Sequence, residues 1–99
     1  MNVYFSASAE ADLEEIGDWI AEGNPERAVS FLIEFRQLCL SLAEFPLRFP
    51  LAREGAYGGL RKASKAGYLI FYMITGDQVD ILRIVHGSRD WASIFVEPE

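Results

Sequence analysis

The sequence predicts an α+β domain: an N-terminal strand, an antiparallel helical hairpin packed on a mainly antiparallel β-meander, and a short C-terminal helix. Three observations predict it. Apolar residues recur at helical spacing in two stretches of the first half, with a Gly-Asn-Pro break between them. The period changes in the second half to β-branched and aromatic runs. Those runs are separated by Lys65-Ala66-Gly67 and Gly76-Asp77, both suited to tight hairpins. The 99 residues, 51% of them hydrophobic, fit a single domain spanning 1–99 with one core.

Asn2 to Ser6 is a short β-type run. Ser8 is the expected cap of the first helix, whose early turns carry Glu10 and Asp12, where acids complement the helix dipole. Ala9, Leu13, Ile16 and Ile20 form its apolar face, while Glu14, Glu15, Asp18 and Glu22 face water. Asn24 and Pro25 suit the N-cap and first position of a second helix running to about Glu44. Its buried stripe is Ala28, Leu32, Phe35, Leu38, Cys39 and Leu42. Residues 46–59, rich in Pro, Gly and aromatics, read as an irregular loop.

Leu60 to Ser64, Tyr68 to Thr75 and Gln78 to His86 then form successive strands. The middle run is apolar on both faces, so it belongs at the centre of the sheet, with the hairpin on one side and a loop or partner on the other. Tyr68, Phe71 and Tyr72 are either filled core or a partly exposed docking surface. Simple alternation places Val79, Ile81, Arg83 and Val85 on one face, with Arg83 snorkelling from the core edge. Asp90 can cap a last helix through Trp91 and Ile94.

Charge narrows the function classes. The net charge is −6, opposite to what a protein holding nucleic acid through phosphates needs, so no sequence-specific nucleic-acid binding by this chain alone is expected. The acids are concentrated up to Ala52, where nine stand against three cations. Arg61, Lys62, Lys65, Arg83 and Arg89 make the second half the place for an anion-binding or target-binding patch. Cys39 is alone, which removes an internal disulfide, and with no His or second Cys at ligand spacing neither a metal nor another cofactor is expected. The sequence shows neither a signal-peptide pattern nor a run long enough to span a bilayer, so a cytoplasmic, membrane-free protein is expected.

The segments AEADLEEIGDWIAEGNPERA, LAEFP, LRKASKAGYLIFYMI and VDILRIVHGSRDW, in this order, resemble the RelE/ParE toxins of type II toxin–antitoxin systems. The GYLIFY strand and the closing His86-Gly87-Ser88-Arg89-Asp90 are more similar to the ParE branch. That resemblance implies a protein that inhibits DNA gyrase by binding, not an enzyme, with Arg83, His86, Arg89 and Trp91 as the surface for the target. It also implies neutralisation by a ParD-like ribbon-helix-helix antitoxin whose tail folds over Trp19, Phe31, Arg61 and Tyr68. The RelE branch offers the alternative of ribosome-dependent mRNA cleavage, for which Arg61 and Arg83 would stabilise phosphate charge and His86 would act as general acid. The acidic tail SIFVEPE lacks the late tyrosine or cations that such ribonucleases tend to carry. A third possibility is a complex-forming member with a lost or different target. His86 also has a structural reading, as a strand-end ring bonded to Asp90 or to backbone.

Overall fold

The computed structural model describes residues 1–52, 59–89 and 91. Its elements run β1 (Asn2–Phe5), α1 (Ala7–Gly23), α2 (Pro25–Ser41), β2 (Arg61–Lys65), β3 (Tyr68–Thr75) and β4 (Gln78–His86). The strands form one sheet in the order β1-β4-β3-β2. Both meander pairings are antiparallel, and β1 joins β4 in parallel, so the sheet is mixed with its antiparallel part dominant. The expected C-terminal helix falls on residues outside those described, apart from Trp91.

The helix caps explain where the hairpin begins and turns. Ser6, two residues earlier than the expected Ser8, caps α1: its Oγ accepts the Ala9 amide at 3.0 Å. The same hydroxyl donates to the Leu82 carbonyl at 2.8 Å, a tertiary bond that fixes which serine serves. Asn24 caps α2 as its sequence implies, accepting the Arg27 amide at 3.0 Å with Pro25 in the first turn. The second helix stops at Ser41, short of Glu44, because the amides of Leu42, Ala43 and Glu44 reach back three residues instead of four. Gly17 lets the helices approach closely; a Cβ there would lie 2.9 Å from Leu32 Cδ1.

The sheet is apolar on both faces. Toward the helices, Ala63, Ile70, Tyr72, Val79, Ile81 and Ile84 pack on Leu13, Phe31, Phe35, Cys39 and Leu42. On the other face Leu60, Phe71 and Val85 form a second cluster with Leu69, Met73, Leu82 and Trp91 around it. Phe71 and Tyr72 are therefore core residues, and of the three aromatics weighed as docking surface only Tyr68 keeps partial exposure.

The alternation expected for β4 breaks. Phe71 pairs with Arg83 but Tyr72 pairs with Ile81, so Leu82 has no counterpart on β3. One extra residue reverses the facing of everything after it. Val85 consequently lies in the outer cluster, opposite to Val79 and Ile81, and Ile84 takes the inward place.

Candidate binding groove

A groove of about 230 Å³ opens where α1 passes the far end of β4, lined by Asp12, Glu15, Ile16, Trp19, Tyr68, Ile84, Val85, His86 and Arg89. Its floor is aromatic. Tyr68 meets Phe31 and Phe35 edge-on, with ring centres 5.5 and 5.9 Å apart, and meets His86 edge-on at 5.3 Å. Trp19, beside the apolar stripe of α1, is 69% exposed and stands on the lip.

The rim near His86 is built from two turns. Ala66 and Gly67 both have positive φ, 52° and 86°, which makes the β2–β3 turn a tight two-residue hairpin. The Gly67 carbonyl accepts the Gly87 amide at 2.8 Å, and a Cβ on Gly87 would approach that oxygen to 3.1 Å. Glycine at 87 thus permits the close contact between the two turns. His86 Nδ1 accepts the Ser88 amide at 3.2 Å and lies 2.7 Å from the Ser88 hydroxyl. An amide donor at Nδ1 assigns the proton of the neutral ring to Nε2. His86 is thus bonded to the Ser88 backbone and hydroxyl, and Asp90, the other expected partner, lies outside the described residues.

Arg83 behaves differently from the cation at a core edge that alternation implied. Its Nε and Nη2 donate to the two carboxylate oxygens of Asp12 at 2.8 and 3.0 Å, a bidentate pair. The hydrogen bonds it donates to Asp12 raise the arginine's pKa above its already high ordinary value. Asp12 is not the dipole-facing surface acid its position suggested; it is buried and also accepts the Ile84 amide at 2.8 Å. Periodicity alone could not have found this pair, since 71 residues separate its members.

The other sequence-derived candidates divide. Trp19, Tyr68, His86 and Arg89 come together in the groove. Phe31, expected to touch a partner, is 4% exposed because its ring stacks on Phe35 at 4.4 Å beneath Tyr68. Arg61 lies on β2 opposite Tyr72, away from the groove, and donates to the Phe49 carbonyl at 2.6 Å. Trp91 packs on Phe71 on the opposite face of the sheet, with the Lys62 ammonium 5.2 Å from its ring centre. The described residues contain no cluster fit to hold a metal ion, and none of their helices is long and apolar enough to cross a membrane.

A helical hairpin on this four-stranded sheet is shared with several solved toxin–antitoxin proteins. The chain is similar to a chain of the chromosomal ParDE system from P. aeruginosa, with a TM-score of 0.74 and 21% identity over 87% of this chain and 95% of that one. It is also similar to a chain of the RelBE2 toxin–antitoxin complex from Mycobacterium tuberculosis, with a TM-score of 0.61 and 29% identity over 86% of this chain and 95% of the other. A chain of the E. coli DinJ-YafQ complex matches with a TM-score of 0.53 and 15% identity over 95% and 97% of the two chains. No curated protein sequence matches significantly. The fold, together with the family model that the chain matches, defines the class, a small toxin of the RelE/ParE type. Within it, the family model described as "ParE toxin of type II toxin-antitoxin system, parDE" matches residues 3–91, and the chain belongs to that family.

Proposed function

We propose that this toxin acts in the cytoplasm by binding DNA gyrase and blocking it, without catalysis, and that a ParD-like antitoxin neutralises it by occupying the same groove. The observation that carries the reading is the engagement of the cations that RNA cleavage would require. Arg83 is held bidentately by Asp12, and Arg61 is bonded to the Phe49 carbonyl. Register also separates them: Arg61 faces Tyr72 while His86 faces Tyr68, on opposite sides of β3. Four residues along the strand and two strands across is on the order of 15 Å, too far for both to attend one phosphate without rearrangement.

His86 and Arg89 are the exposed groups left to meet the target, with Trp91 supporting from the opposite face and Arg83 from behind. Trp19 and Tyr68 would receive an apolar anchor of the antitoxin, beside the residues that meet gyrase. Phe31 enters this scheme as the floor under Tyr68, and Arg61 as a structural residue. One groove serving both partners makes neutralisation a matter of occlusion.

The test is a supercoiling assay with purified gyrase and toxin. Inhibition is expected, weakened about ten-fold or more by Arg89→Glu and relieved by a ParD-like antitoxin in proportion to its binding. If gyrase is untouched while ribosome-bound messages are cut, and His86→Ala abolishes the cut, the RelE-type reading replaces this one. If neither assay responds, the toxin has another target.

A further inference from the structure

β4 outruns its neighbour. β1 pairs with it only from Asn2↔Gln78 to Phe5↔Ile81, whereas β4 continues to His86. Beyond Ile81 no strand among the described residues lies on that side of β4, and unpaired buried backbone groups are costly. α1 and its cap supply the missing partners. The Ser6 amide donates to the Ile81 carbonyl at 2.9 Å, Ser6 Oγ donates to the Leu82 carbonyl at 2.8 Å, and Asp12 Oδ2 accepts the Ile84 amide at 2.8 Å.

These bonds bracket the irregularity in the β3–β4 pairing, the unmatched Leu82. From there the strand must hold a shifted phase: Ile84 inward, Val85 outward, and His86 back against Tyr68 at the groove. We infer that Asp12 is a positioning residue, whose carboxylate stands in for the absent strand beside Ile84 and fixes the orientation from which His86 and Arg89 line the groove.

The chemistry specifies an aspartate. Three N–H groups converge on its two oxygens, and only an ionised carboxylate accepts all of them. Asparagine keeps one acceptor oxygen and turns an NH2 group against Arg83. Arg83 in turn neutralises the carboxylate, which makes the pair a support for the groove and not a contact surface. The consequence for gyrase rests on the proposed function; the positioning of β4 does not.

Amide hydrogen exchange and ring-to-ring NOEs on the full chain test it. In the wild type the Ile84 amide should be protected like the neighbouring β3 amides, although no strand covers it, and a His86–Tyr68 NOE should be present. Asp12→Asn should speed Ile84 exchange about a hundred-fold and remove that NOE, while Phe35–Tyr68 NOEs survive. Arg83→Gln, which leaves the bond to the Ile84 amide, should retain most of the protection. Ile84 exchanging freely in the wild type would overturn the inference, as would an Asp12→Asn protein with unchanged exchange and NOEs. Arg83→Gln matching the full loss would shift the role from the carboxylate–backbone bond to the ion pair, and so also overturn it. Should Asp12→Asn fail to fold, the wild-type exchange and Arg83→Gln decide. Loss of gyrase inhibition by Asp12→Asn is a separate arm; a wild type inactive on gyrase defeats the proposed target and leaves the exchange result standing.

Discussion

Tyr68 and Tyr72 stand four residues apart on the same strand and both pack toward the helices, yet their surroundings differ in kind. Tyr72 is fully buried, and its hydroxyl donates to the Pro46 carbonyl at 2.9 Å. The chain leaving α2 closes over that end of the sheet. Tyr68 keeps part of its ring open to the groove, between Phe31 and Phe35 below and His86 beside it. A ring at the closed end contributes stability, and a ring at the open end trades part of that stability for a surface. The same amino acid serves both ends because its apolar body and polar tip suit either.

Truncation gives the largest expected contrast. Tyr72→Ala should cost about 3–5 kcal/mol of unfolding free energy, as large aromatic deletions in closed cores do. Tyr68→Ala should cost about half as much or less, because its site is already open to water. Its main effect should be on antitoxin binding, weakened about ten-fold or more. Urea denaturation and titration calorimetry measure the two quantities. Equal stability losses would erase the distinction between the ends.

Alkali tests the closed end by a second route. Burial pushes the Cys39 thiol from its ordinary value of 9.0 up to about 12, with Arg36 opposing. Burial also raises the Tyr72 phenol, against the Phe49 backbone, Arg61 and Arg48. A group whose folded pKa is raised contributes its full stability below the unfolded value and loses it as pH climbs toward the folded value. Stability should therefore fall above pH 9.0 and continue falling toward about 12, with the thiol's share near 1.4 kcal/mol per pH unit. Cys39→Ala should flatten that slope in urea midpoints measured from neutral pH upward; an unchanged slope would mean that the thiol is not sealed.

The smallest effect belongs to the turn at the open end. Ala66 holds φ at +52°, where its Cβ is disfavoured and asparagine is tolerated. Ala66→Asn should stabilise the fold by about 0.5–1 kcal/mol and leave partner affinity unchanged, since the turn's shape is preserved. A stabilised protein with altered affinity would show that the turn touches the partner directly.

Local chemistry made much of this legible in the sequence. Asn24-Pro25 marked the hairpin, Gly76-Asp77 and Ala66-Gly67 marked the meander turns, and the two-sided apolar run at Tyr68–Thr75 marked an interior strand. What escaped depends on partners distant in the chain. Ser6 prevails over Ser8 partly through its bond to Leu82, and Asp12 is drawn inward by Arg83 and the Ile84 amide. Strict alternation missed the extra residue at Leu82 and so misplaced Val85. The groove is half legible: the sequence marks Trp19, Tyr68, His86 and Arg89, but on separate surfaces that only the fold brings together. Phe31 looked available because only the packed structure shows it under Tyr68.

The bond between the Gly67 carbonyl and the Gly87 amide fastens two chain reversals to one another at the mouth of the groove. A lip so tied has part of its shape set by the chain itself. If the antitoxin docks there as proposed, the entropy lost on association should fall more on the incoming chain than on the lip. An antitoxin segment stiffened into its bound form should hold on longer for that reason alone, with no new contact made.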